Sequence, residues 1–426
     1  MPETVEAPPA AEPVAGAAPW ERLARIETFR ALRLHPNFRL YWSGALASNI
    51  GTWTQTVAQG WLMYDLTGST FMLGAVGFAQ SVPFIVFALY GGVLADRVER
   101  RRLMVWTQTG MMLLAFLLAA LTLTGAITPW GLLAIVLANG VVNALNTPVR
   151  QSIVSDLVPK SDLANAIAIN STQFQASRTL GPALAGVLLA AVGPGWCYFL
   201  NGASFLAVIW TLLVMDVPPL PARVRPSALR SVHEALAYVG ADRTISALML
   251  VAGIPSLFGM AYSYLLPAFA ESVLSAGPAG LGVLQSAVGV GALTGALAIA
   301  SLPTLVRSGR SMLVALFVLG GGLIAFGLST SFALSAALLF AVGVGQMIYN
   351  NLRQTFVQGL VADEMRGRVL SLLTLSTFGL QPLGAVEAGA LASLIGPGLA
   401  VLLNGLVCVL LAIVVWARFP RIRALA

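Results

Sequence analysis

Polar side chains are scarce enough in this chain to be weighed one at a time, because hydrophobic residues make up 58% of it and charged residues 10%. Three polar stripes recur at helical spacing, three or four residues apart, so that each lies on one helix face. Asn49, Thr52, Trp53, Thr56 and Gln59 form the first, Asn139, Asn143, Asn146 and Arg150 the second, and Gln346, Asn350 and Arg353 the third. Ser256, Tyr262 and Tyr264 make a sparser fourth. Amides and hydroxyls so arranged either offer hydrogen bonds to a crossing solute or tie helix to helix, at about 1 kcal/mol or less per contact in a membrane. Two full charges, Arg178 and Glu387, stand deep inside apolar runs. Such groups pair with one another or line water. A carboxylic acid removed from water holds its proton more readily, which makes Glu387 a candidate proton carrier; at the outer water boundary it would stay ionised and idle.

Covalent and metal chemistry find no support. Lys160 is the one lysine and no GxxxxGK[ST] precedes it, so a phosphate-binding loop is excluded. His35 and His233 flank the apolar runs, and neither HExxH nor GxSxG occurs, so no metal, cofactor or nucleophile is expected and the chain does not read as an enzyme. A signalling scaffold would need an extra domain for which the tail and linker are too short.

The elements that must position these residues follow from hydropathy. With a mean hydropathy of +0.84 the chain has more apolar surface than a soluble core could bury. Apolar runs of about 20 residues, each able to cross roughly 30 Å of hydrocarbon as a helix, can be marked twelve times, with no β-barrel alternation. They cover 40–62, 71–95, 103–124, 130–155, 163–190, 195–215, 244–268, 278–305, 311–329, 332–357, 369–393 and 397–417. Basic residues then set the orientation. Those at 22–39, 97–102, 150–160, 223–243, 307–310, 353–368 and 418–423 fall on one side, which puts both termini in the cytoplasm; only Arg178, lying deep inside a span, breaks the pattern. The net charge of +7 thus reports topology and attraction to anionic lipid heads, with no nucleic-acid partner expected. Residues 1–19, rich in Pro, Ala and Glu, read as a disordered tail without a cleaved signal. Cys197 and Cys408 are expected to be free thiols.

The segment GPGWCYFLNG at Gly193–Gly202 returns as GPGLAVLLNG at Gly396–Gly405, a shift of 203 residues. The same shift pairs Asn143 with Gln346, Arg150 with Arg353, Gly181 with Gly384 and Gly186 with Gly389. A repeat of nearly half the chain implies two large halves. Arg178 then aligns with Gln381, which sets Glu387 roughly 9 Å further along its helix and leaves a direct pair between the two charges strained. The expected architecture is an all-α membrane protein of twelve transmembrane helices in two six-helix halves, related by a pseudo-two-fold along the membrane normal. Its parts are a cytoplasmic tail (1–34), a first half (35–215), a linker (216–243) in which Leu229, Val232, Leu236 and Val239 share one face of a short surface helix, a second half (244–417) and a cytoplasmic C-terminus (418–426).

Residues 92–101, GVLADRVERR, resemble the GxLxDRxGRR signature of the major facilitator superfamily, departing only where Glu99 replaces the second Gly. The resemblance implies a conformational latch built from Gly92, Asp96, Arg97 and Arg100; in physical terms Asp96 suits a helix N-terminus, and the arginines suit lipid phosphates or a nearby carboxylate. Arg178–Gly186, RTLGPALAG, partly resembles the family's exporter motif, with Gly181, Pro182 and Gly186 as a packing hinge whose repeat partners are Gly384 and Gly389. The family's RxxQG is not matched, since Val136 stands at its Arg position. The wording of the opening span, of NTPVRQSIVSDLVPKSDLANAIAINS and of RTLGPALAG is similar to the bacterial subfamily that includes enterobactin exporters and macrolide efflux proteins. What this implies is a monomer in the bacterial inner membrane that exports a bulky, partly hydrophobic small molecule by alternating access, in exchange for protons. Its substrate path would be lined by the amides of the three stripes. An importer or facilitator of a small solute on the same fold is the alternative.

Overall fold

The computed structural model describes residues 29–97, 99–215, 228–302 and 308–425, and gives the backbone alone for 88–97, 151 and 228–232. Twelve long helical stretches run through them: α1 (Pro36–Thr67), α2 (Thr70–Arg97), α3 (Arg100–Leu123), α4 (Pro129–Leu157), α5 (Leu163–Val192), α6 (Pro194–Val214), α7 (Arg243–Val273), α8 (Gly277–Ser301), α9 (Gly309–Leu328), α10 (Phe332–Leu360), α11 (Asp363–Ile395) and α12 (Pro397–Arg418). Shorter helices lie at Arg30–Leu34, Ala228–Ala241 and Pro420–Arg423. No strand occurs among the described residues.

Local chemistry explains the boundaries. Gly193 and Gly396 adopt φ of 83° and 86° just after α5 and α11, a conformation costly for any other residue, and the following Pro194 and Pro397 occupy first-turn positions where no N–H is needed. The repeated GPG is thus a stop and start signal, one per half. Thr128, Asp242 and Ser308 cap α4, α7 and α9 by accepting backbone N–H bonds.

Ten of these stretches are long and apolar enough to cross a membrane, and large side chains such as Trp130, Val187 and Leu394 remain on the outer surface, where a bilayer covers them. The exceptions are α1 and α5, with 32 and 30 residues, which their polar side chains make less apolar. The chain is a multi-pass membrane protein.

Two spans expected to be continuous are broken. In α7, π-helical turns at Pro255–Gly259 and Phe269–Val273 interrupt the helix, because proline removes a backbone donor and crowds the preceding turn. In α11, regular helix ends at Phe378 and resumes at Gln381. The two breaks meet: Ser256 Oγ donates to the Thr377 carbonyl, and a methyl group on Gly384 would stand 2.0 Å from the Leu257 carbonyl oxygen.

α1–α6 and α7–α12 form two six-helix halves joined along α2 against α11 and α5 against α8. Their buried apolar residues fall into two clusters. The larger fills the second half and continues into the ends of α1–α6 remote from the basic residues, from Val57 and Leu73 to Leu189 and Tyr198. The smaller is confined to the basic ends of α1 and α3–α6, from Phe38 and Tyr41 to Leu212. Among the described residues the halves therefore share a core on the far side and have separate cores on the basic side.

Candidate functional site

Four side chains of the first half stack into a ladder that climbs from the basic end of α4 to the middle of α1 and α5. The Arg150 guanidinium lies over the Phe174 ring at 5.9 Å, Phe174 meets Trp53 edge-on with ring centres 6.0 Å apart, and Arg178 lies over Trp53 at 5.9 Å. Such contacts attract each guanidinium to a ring without using up its N–H donors. Arg150 Nη1 also donates to Asn49 Oδ1 at 3.4 Å. Among the described residues neither arginine has a carboxylate within ion-pair distance.

The ladder faces the other half. Gln175, next along α5, donates to Met347 Sδ of α10 at 3.6 Å, Ser286 Oγ of α8 donates to the Thr179 carbonyl at 3.2 Å, and Tyr262 of α7 lies within electrostatic range of Arg178. Gln346 Nε2 donates to Met260 Sδ beside the α7 break at 2.9 Å, while its Oε1 is buried without a partner among the described residues. A thioether of α10, Met347, thus meets α5 next to the ladder.

The predicted stripes part company here. Asn49 and Trp53 join the ladder; Thr52 is exposed and, like Thr56, bonds back to its own helix; Gln59 is buried with Nε2 unpartnered among the described residues. Asn139, Asn143 and Asn350 are at least partly exposed. Asn146 was expected on the path but is spent on packing, buried and accepting from Thr107 of α3 at 3.0 Å. Arg353 is likewise committed to its own half, donating to Tyr349 Oη at 3.0 Å and toward the Ala252 carbonyl at 3.4 Å.

The deep charges do not pair. Glu387 accepts from Asn404 Nδ2 at 3.1 Å, whereas Arg178 stays with Trp53. Of the expected latch, the side chains of Gly92, Asp96 and Arg97 lie outside the described residues. Arg100 pairs with Asp156 of α4 at 2.7 Å, inside its own half rather than across the halves. The linker helix packs through Ala235 and Val239 with a Glu234–Arg368 pair at 2.7 Å, but Leu236, assigned to the same face, stays exposed. Residues 216–227 of the linker lie outside the described residues.

The glycines divide by role and repeat it in both halves. Gly181 admits Trp53 Cβ of α1 at 2.4 Å from where its own Cβ would stand, and Gly384 admits the Leu257 carbonyl of α7. Gly186 touches Gly282 of α8, and Gly389 touches Gly74 of α2. The first pair therefore packs within a half and the second between halves, with Pro182, also buried, beside the Gly186–Gly282 contact. Sequence reasoning missed Phe174, Met260 and Met347 because apolar side chains carry no signal inside an apolar span. The α7 break left a trace in Gly253, Pro255 and Gly259.

The architecture recurs in solved structures. A bacterial homologue of the human lysosomal transporter Spinster, inward-facing and unoccupied, superposes with a TM-score of 0.70 at 17% identity, covering 96% of this chain and 99% of its own. A POT family transporter in complex with 5-aminolevulinic acid gives 0.74 at 11% identity, covering 91% and 97%. Among curated proteins, the staphyloferrin A transporter of Staphylococcus aureus is 23% identical over 366 residues, 84% of this chain and 90% of that one. The enterobactin exporter EntS of Citrobacter koseri is 27% identical over 396 residues, 92% of this chain and 94% of that one. The family model described as transmembrane secretion effector matches residues 27–425. With two six-helix halves, a polar ladder where they face each other and that match over nearly its whole length, the chain belongs to the transmembrane secretion effector family and is a secondary transporter of the major facilitator superfamily.

Proposed function

We propose that the protein exports a bulky, partly hydrophobic small molecule from the cytoplasm across the bacterial inner membrane in exchange for protons. The observation that carries this reading is the split core: the halves are continuous on the far side and separate on the basic side, so the ladder is reached from the side that topology assigns to the cytoplasm. A solute loads there, the halves rock about the α2–α11 and α5–α8 seams, and the path opens opposite. Asn49, Trp53 and Gln346 contact the solute, with Thr52, Thr56, Gln59, Asn139, Asn143 and Asn350 along the path. Glu387 carries the proton, and Asp96 with Arg97 closes the basic side. In this reading the protein is a monomer with twelve spans, cytoplasmic termini, halves at 35–215 and 244–417, and no nucleic-acid partner. The relatives named for staphyloferrin A and enterobactin make siderophores the first substrates to try.

Inverted membrane vesicles with an acidic lumen, and so an outward-directed proton gradient, test it. Concentrative uptake of a siderophore or another hydrophobic metabolite is expected, and a Glu387→Gln variant should lose the gradient dependence. Uptake indifferent to the gradient would sink the coupling, and gradient-driven uptake seen only in right-side-out vesicles would make the protein an importer.

A further inference from the structure

We infer that the Arg150–Phe174–Trp53–Arg178 ladder is an anion subsite, and that the molecule carried bears a planar oxyanion, such as a carboxylate, on an aromatic body. The second clause rests on the transport reading above; the first stands on geometry alone. Guanidinium groups do not give up their proton in proteins, so both positive charges persist at every relevant pH. A cation inside a membrane protein needs an opposite charge or water, and among the described residues no carboxylate stands within 4.0 Å of either arginine. Glu387, the one acid deep in a span, is held by Asn404 on another helix pair.

What the arginines do have is an aromatic face each, Phe174 for Arg150 and Trp53 for Arg178. A guanidinium held near a ring by cation–π attraction, rather than by a carboxylate, keeps N–H groups available for charge-assisted bonds to a planar oxyanion. The edge-to-face arrangement of Trp53 and Phe174 gives a ring attached to that carboxylate an apolar surface to pack on. From the other half Met347, a flexible thioether that adapts to a bulky body, meets Gln175 beside Phe174 on α5, and the neighbouring Gln346 keeps an Oε1 unpartnered among the described residues that can accept from a hydroxyl or amide. The repeat sharpens the point. Arg353 holds the position equivalent to Arg150 but is buried within its own half, with Nη1 donating to Tyr349 and toward the Ala252 carbonyl and Nε unpartnered among the described residues, so the more exposed Arg150 is the one of the pair that a ligand can reach.

Equilibrium binding to the full chain in phosphatidylcholine nanodiscs, without any gradient, tests this with radiolabelled 1-naphthoate and its neutral counterpart 1-naphthamide. Saturable naphthoate binding is expected, with the amide weaker by about tenfold or more, the size of a charge-assisted hydrogen bond. Arg178→Gln should erase that difference, Arg178→Lys should keep part of it, and Trp53→Leu should weaken both probes alike. Thermal unfolding identifies any variant that fails to fold, and Arg150→Gln then serves as the second charge removal. Equal affinity for acid and amide in the wild type, a preference surviving both Arg178→Gln and Arg150→Gln, or no saturable binding of either probe would overturn the inference. Because no gradient is involved, anion preference without proton-driven transport would refute the coupling and leave the ladder standing, and the reverse result would do the opposite.

Discussion

Asn201 and Asn404 hold the same place in the repeat but serve different partners. Asn201 donates to Gln55 at 2.7 Å between α6 and α1, with both amides buried, whereas Asn404 donates to Glu387 of α11. Removing the first leaves an amide oxygen without a donor in a buried site; removing the second leaves a carboxylate that is only half-buried. Asn201→Ala should therefore lower stability by about 1 kcal/mol and Asn404→Ala by less, measured by unfolding in mixed detergent–lipid micelles. The ladder shows how far residue types could be read. Asn49, Trp53 and Arg178 stand out as polar or charged groups in apolar runs, but Phe174 is one apolar residue among many, and only the crossing of α1 with α5 sets it between Trp53 and Arg150.

At the scale of elements, glycines decide how closely helices approach. A methyl group at Gly384 would stand 2.0 Å from the Leu257 carbonyl oxygen, and backbone atoms at a helix junction have nowhere to go. Gly359, near the end of α10, has nothing within 4 Å and no unusual φ. Gly384→Ala should thus prevent the α7 and α11 breaks from meeting and yield little folded protein. Gly359→Ala should be neutral or stabilising by roughly 0.5–1 kcal/mol, the usual gain from alanine over glycine in a helix, with both read from unfolding midpoints and yield. The broken helices mark the limit of sequence reading at this scale. Pro255 and Pro382 announce irregularity, but α5 carries Pro182 inside one uninterrupted helix, so a proline alone does not say whether the chain breaks. Whether a neighbouring donor can satisfy the carbonyls near a break decides it, as the Ser256 hydroxyl does by donating to the Thr377 carbonyl.

For the whole molecule the seam between halves must part and reform if access alternates. Thr179 of α5 and Ser286 of α8 touch across that seam, so the double variant Thr179→Cys with Ser286→Cys, bridged by a short bifunctional thiosulfonate, should stop transport, and dithiothreitol should restore it. Full transport by the bridged protein would show that this seam does not move. The native thiols, Cys197 and Cys408, are both buried and offer little competition for the reagent. By itself the sequence determined the membrane class, the two-half repeat, the superfamily and the helix limits set by Gly193–Pro194 and Gly396–Pro397. The superfamily rests on the resemblance of GVLADRVERR to its signature, and the other properties on hydropathy, the internal repeat and backbone chemistry, which act over a few residues or recur along the chain. The tertiary structure alone decided that Arg353 is buried against Tyr349 while Arg150 lies over Phe174, that Asn146 packs against α3, that Glu387 bonds Asn404 and not Arg178, and on which side the described parts of the halves separate. These turn on the facing of helices far apart in sequence, where a rotation of one residue, 100°, moves a side chain from path to packing.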